Sequence, residues 1–159
     1  MSTEFFHSEE GLSREEIASL QTDRLRQTVE RAKSSTFYSQ RLEGVDADSL
    51  VSPEDIRQLP LTTKDDLRDY YPLGFLTQPV QNMVRLHASS GTTGSPTAIL
   101  YTEQDLARWA DLVARCMYMV GVRPEDIFQN LSGYGLFTGG LGIHYGAERL
   151  GCLTIPAGA

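Results

Sequence analysis

Val84-Arg85-Leu86-His87-Ala88-Ser89-Ser90-Gly91-Thr92-Thr93-Gly94-Ser95-Pro96-Thr97-Ala98-Ile99-Leu100-Tyr101 sets a loop of hydroxyls and glycines between two strand-like runs. Such a loop turns several backbone N–H groups and hydroxyls toward one point, as polyphosphate binding requires. Gly91 and Gly94 allow the close backbone approach that a side chain would block. The stretch is not a Walker A motif. No Lys-Ser/Thr pair follows its last glycine, and Ala98-Ile99-Leu100-Tyr101 reads as a strand rather than a helix. Without a helix N-terminus, the loop has only its own N–H groups and hydroxyls to offer, and it is expected to close over a ligand as a flap.

Outward from this loop, the chain changes character on its two sides. On the N-terminal side, Ser13-Arg14-Glu15-Glu16 is a capping box, and Ile17, Leu20, Leu25, Val29 and Ala32 follow at helical spacing. Ser52-Pro53-Glu54-Asp55 and Thr63-Lys64-Asp65-Asp66 predict two further helix starts. On the C-terminal side, Thr102-Glu103-Gln104-Asp105 starts a helix with an apolar stripe of Leu106, Trp109, Ala110, Val113, Cys116, Met117 and Val120, ended by Gly121. Ile127–Leu131 then reads as a strand, followed by a glycine-rich turn, a helix around His144–Leu150, and a strand from Cys152. The fold class is therefore α/β. A helical lobe over 1–78 precedes an incomplete α/β part over 79–159 that carries the loop.

Bulk properties exclude several classes. The chain has 159 residues, enough for a real core, and 40% of them are hydrophobic. A net charge of −7 argues against nucleic acid and against an anionic membrane surface. No apolar run approaches the ~20 residues of a membrane span. The start, Met1-Ser2-Thr3-Glu4-Phe5-Phe6, has no signal-peptide pattern, so the cytoplasm is the expected compartment. Cys116 and Cys152 have no metal-ligand spacing and read as reduced core residues.

Three blocks resemble one family. Leu59-Pro60-Leu61-Thr62-Thr63-Lys64-Asp65-Asp66-Leu67-Arg68 with Tyr71-Pro72 is the first, and His87 to Gly94 is the second. The third runs from Gly133-Tyr134-Gly135-Leu136-Phe137-Thr138-Gly139-Gly140-Leu141-Gly142 into His144-Tyr145-Gly146-Ala147-Glu148-Arg149-Leu150-Gly151. The loop resembles the phosphate-binding signature of adenylate-forming enzymes, and all three blocks together resemble phenylacetate–CoA ligases. The resemblance implies a small N-terminal helical lobe followed by the first part of an adenylate-forming-enzyme domain. It also implies ATP, Mg²⁺ and CoA, with an aromatic carboxylate activated as its adenylate and passed to CoA, in aromatic degradation. Ser89, Ser90, Gly91, Thr92, Thr93 and Gly94 would hold the outer phosphates.

Many acyl-CoA synthetases carry a lysine where this chain has Thr97, so Lys64 is the candidate for the missing cation. Tyr134, Gly135, Phe137, Gly139 and Gly140 are candidates for lining the aryl pocket, since the turn after a strand is where α/β folds bind ligands. His144 has no oriented carboxylate evident in sequence and reads as a packed or capping residue, with His87 and His7 weaker still. Catalytic residues and protein ligands for Mg²⁺ are expected beyond residue 159, and the chain is expected to be the N-terminal portion of a larger enzyme, inactive alone. A same-family ligase for another aromatic acid or a deazaflavin coenzyme stays open. So does a non-catalytic interaction module, which would dimerise through its unfinished sheet.

Overall fold

The computed structural model describes residues 5–89, 97–136 and 138–158. Its elements fall into two compact units, one spanning Ser8–Asn82 and the other formed by the residues up to His7 and those from Met83 onward.

The first unit is helical. α1 (Arg14–Ala32) starts at Ser13, whose hydroxyl accepts the Glu16 N–H while Glu16 reaches back to the Ser13 N–H. α2 (Thr36–Arg41) and α3 (Lys64–Asp69) are short helices capped by Ser35 and Thr63. The helix expected after Ser52 is instead a 3₁₀ segment, Pro53–Gln58, which keeps its capping box but never widens to α geometry. Val29, Leu42, Ala47 and Leu50 form one buried cluster. Phe37, 2% exposed, packs beside it against Tyr38, Tyr70 and Phe75.

The second unit holds all four described strands. β1 (Arg85–Ala88) and β2 (Ala98–Tyr101) pair antiparallel, with Arg85 opposite Tyr101 and Ala88 opposite Ala98. The hydroxyl- and glycine-rich loop joins these two strands in the sequence. α4 (Glu103–Met119) follows from a Thr102–Asp105 capping box. β3 (Ile127–Asn130), α5 (Gly139–Leu150) and β4 (Leu153–Pro156) form a parallel crossover unit, with Phe128 opposite Thr154. Gly151, at φ 102°, ends α5 in the left-handed conformation. The core is Ala114, Met117, Ala147, Leu150 and Cys152, where α4 packs on α5 and β4 begins.

Two expectations change here. α5 starts at Gly139 rather than near His144, so Gly139 and Gly140 belong to its first turn. Cys116 is exposed rather than in the core, and Val120 is 81% exposed. Only the inner part of the α4 stripe faces α5. Among the described residues, no helix is long and apolar enough to cross a membrane.

Candidate functional site

The site builds outward from the end of β1. Ser89 closes the neck of the loop: its N–H donates to the Thr97 carbonyl (3.0 Å), and its Oγ accepts the Thr97 N–H (3.0 Å). Ser90, Gly91, Thr92, Thr93 and Gly94 lie outside the described residues, as does Phe137. Lys64 is exposed at the first position of α3, in the helical unit.

The glycine-rich turn is fastened to β1 through one carbonyl. Leu136 O accepts the Ala88 N–H at 3.0 Å and also lies 2.9 Å from His87 Nδ1, which donates to it. His87 is 2% exposed, and its ring meets Tyr101 and Trp109 edge-on while those two stack on each other. Burial, with the Asp105 charge as a smaller cause, pushes the Tyr101 phenol above its ordinary pKa. The neck of the phosphate loop begins at Ser89, directly after Ala88. The candidate aryl residues flank Leu136. One strand end thus carries both.

Asn130, at the end of β3, organises the turn. It is 2% exposed and accepts the Ser132 N–H at Oδ1 (3.0 Å). Its Nδ2 donates to the Gly140 carbonyl (2.9 Å) and to Tyr134 Oη (3.0 Å). Gly140 is buried so tightly that an added Cβ would sit 2.3 Å from the Gly133 carbonyl oxygen, while Gly135 has open space around it. Gly139 is half-buried in the first turn of α5. Tyr134 Oη lies 3.0 Å from His144 Nδ1, and His144 Nε2 lies 3.1 Å from Glu148 Oε1. His144 therefore does have an orienting carboxylate. Glu148 stands four residues along the same helix, an i,i+4 spacing legible in sequence. Asn130 left only a weaker trace, an amide at the end of the Ile127–Asn130 strand.

Glu148 also lines a cavity of about 520 Å³ with Arg85, Leu106, Trp109, Gly142 and Tyr145. Across it the Arg85 guanidinium lies 4.8 Å from the centre of the Tyr145 ring, a cation–π contact. Among the described residues, no three His, Cys, Asp or Glu side chains converge as metal ligands.

The chain is 47% identical over 150 residues to phenylacetate-coenzyme A ligase of Escherichia coli (strain K12), covering 92% of this chain and 34% of that one. It is 50% identical over 139 residues to the enzyme of the same name from Pseudomonas putida, covering 86% of this chain and 32% of that one. Its relatives are phenylacetate–CoA ligases. The chain spans about a third of the length of these ligases. No protein-family model matches it. The fold is similar to that of 2-hydroxyisobutyryl-CoA ligase in complex with 2-HIB-AMP and CoA in the thioesterification state. That likeness has a TM-score of 0.84 at 32% identity, over 93% of this chain and 33% of that one. The same ligase in the postadenylation state gives 0.83 at 30% identity. Mixed helix and strand with an N-terminal helical part is thus the adenylate-forming ligase arrangement expected from the sequence.

Proposed function

We propose that this chain is the N-terminal part of an ATP-dependent, AMP-forming aryl-acetate–CoA ligase that works in the cytoplasm on small molecules. The observation that carries the reading is the Leu136 carbonyl, which holds the Tyr134–Leu136 turn on the strand that opens the phosphate loop. The substrate carboxylate and the α-phosphate of ATP must lie a few ångströms apart for adenylation, and a shared strand end supplies that rigidity.

In this reading the substrate carboxylate attacks the α-phosphate of ATP and pyrophosphate leaves. The CoA thiolate then attacks the acyl carbon and AMP leaves. Ser89 fixes the neck of the loop, while the N–H groups and hydroxyls of Ser90, Gly91, Thr92, Thr93 and Gly94 hold the outer phosphates as charge moves onto pyrophosphate. Lys64 supplies the positive charge that Thr97 does not. Tyr134, Gly135, Phe137, Gly139 and Gly140 border the aryl group, the glycines by leaving room and the aromatics by contact. Mg²⁺ accompanies the nucleotide phosphates.

The test is aryl-acetate-dependent exchange of labelled pyrophosphate into ATP by the full-length protein that carries this chain. Exchange with phenylacetate, lost to background without the acid, is the expected result. Lys64→Ala should lower it at least about tenfold, the scale for losing a charge-assisted phosphate contact. Unchanged exchange in that variant removes Lys64 from the site. A second reading, ligation of a short hydroxy acid, draws on the likeness to 2-hydroxyisobutyryl-CoA ligase. Faster exchange with 2-hydroxyisobutyrate than with phenylacetate would select it.

A further inference from the structure

The hydrogen bonds around Asn130 have only one consistent direction. Gly140 O can only accept and the Ser132 N–H can only donate, which fixes the Asn130 amide with Nδ2 toward Gly140 and Tyr134. Tyr134 Oη therefore accepts a hydrogen bond from Asn130, and its own O–H points to the other partner in reach, His144 Nδ1 at 3.0 Å. His144 accepts there while its Nε2–H goes to Glu148 Oε1 at 3.1 Å. The chain of donors runs Asn130 to Tyr134 to His144 to Glu148 without a conflict. The single proton of the Tyr134 hydroxyl is thus committed to His144.

We propose that Asn130 and His144 are positioning residues that clamp the Tyr134 hydroxyl inside the protein, so that Tyr134 meets the acyl group with its ring and not its hydroxyl. Glu148 serves the clamp by selecting the tautomer in which Nδ1 is the acceptor. The half-exposed Tyr134 ring then acts as a fixed apolar wall, held edge-to-face against the His144 ring at 5.6 Å between centres. A tyrosine with a free hydroxyl would instead select a polar group on the substrate. The placement against the acyl group rests on the ligase reading above, whereas the clamp itself does not.

Two arms separate the two. In the 159-residue chain, long-range ¹H–¹⁵N correlations of the imidazole rings should show His144 as the Nε2–H tautomer. Its Nδ1 resonance should move when Tyr134→Phe removes the hydroxyl. The opposite tautomer, or an unmoved Nδ1, overturns the clamp.

In the full-length ligase, Tyr134→Phe and His144→Phe should each raise the KM for the aryl acid about fivefold. The KM for ATP and kcat should stay within about twofold. The double variant should be no worse than either single one, because both remove the same interaction. His144→Asn, whose side-chain oxygen takes the place of Nδ1, should restore the KM. Multiplying effects in the double variant, or a costly Tyr134→Phe beside a neutral His144→Phe, would show the hydroxyl serving the substrate and overturn the proposal. Expected spectra without any aryl-acid-dependent exchange would leave the clamp standing and sink the placement against the acyl group.

Discussion

Asn130 shows how much one buried amide decides. It joins the end of β3, the turn at Ser132, the first turn of α5 and Tyr134 through three hydrogen bonds. Asn130→Ala would remove its hydrogen bonds to Gly140, Ser132 and Tyr134 together, at a cost of about 2 kcal/mol in stability by denaturant titration. Asn130→Asp should cost more at neutral pH, because a carboxylate would face the Gly140 carbonyl oxygen. The cysteines make a second test at this scale. Burial, with the Asp126 and Glu125 charges as lesser causes, pushes the Cys152 thiol above its ordinary pKa, and Cys152 is 7% exposed. Cys116 is exposed on α4. A thiol reagent should therefore modify Cys116 readily in the folded chain and reach Cys152 only on unfolding, read by mass spectrometry of the labelled peptides. Equal labelling rates would contradict the burial of β4's first neighbour. The sequence placed both cysteines in a core. It misjudged Cys116 because Val113 and Met117 share a helical face, while residue 116 falls about 100° to its side.

The α4–α5 contact is where the glycines of the third block acquire their purpose. A Cβ on Gly142 would lie 2.4 Å from Trp109 Cζ2, and one on Gly146 would lie 2.3 Å from Val113 Cγ1. Glycine inside a helix normally costs up to about 1 kcal/mol relative to alanine. Here that preference reverses. Gly146→Ala should lower the Tm, and adding Val113→Ala, which removes the Cγ1 methyl but leaves the residue's own Cβ 2.6 Å from the new one, should recover only part of the loss in the same thermal scan. A Gly146→Ala chain as stable as the parent would mean that the helices are not this close.

How far the fold could be read follows the same division. The capping boxes at Ser13, Thr63 and Thr102 were legible because the cap and its acid lie three residues apart in the chain. The start of α5 was not, since Gly139-Gly140 looks like a turn until a second helix is there to pack against. The site divides likewise. Ser89 and Tyr134 stood out by local pattern. Asn130 and the Leu136 carbonyl matter through partners in other elements, which no local pattern displays.

For the whole molecule, the sharpest prediction concerns acid. Glu16, Asp55 and Asp66, all in the unit Ser8–Asn82, have pKa values below the ordinary carboxylate range. The first cause in each case is the backbone N–H of its N-cap residue: Ser13, Ser52 and Thr63 respectively. A carboxylate whose folded pKa is depressed binds its proton more readily in the unfolded chain. It therefore adds stability that is fully present above its unfolded pKa. That stability fades as pH falls through the unfolded value and is gone below the folded one. Protonation also turns the charge-assisted bond of each capping box into a weaker neutral one, which loosens the starts of α1 and α3 and of the 3₁₀ segment Pro53–Gln58 together. The chain's one tryptophan, Trp109, lies on α4 in the other unit and reports on it separately. Titrating from neutral pH, far-UV circular dichroism should begin to lose helix just below the ordinary carboxylate range, while Trp109 fluorescence still shows its native value. Glu16→Gln combined with Asp66→Asn should flatten the early dichroism change and leave the fluorescence midpoint where it was. A single transition seen identically by both probes would mean that the caps do not set the acid stability of the helical unit.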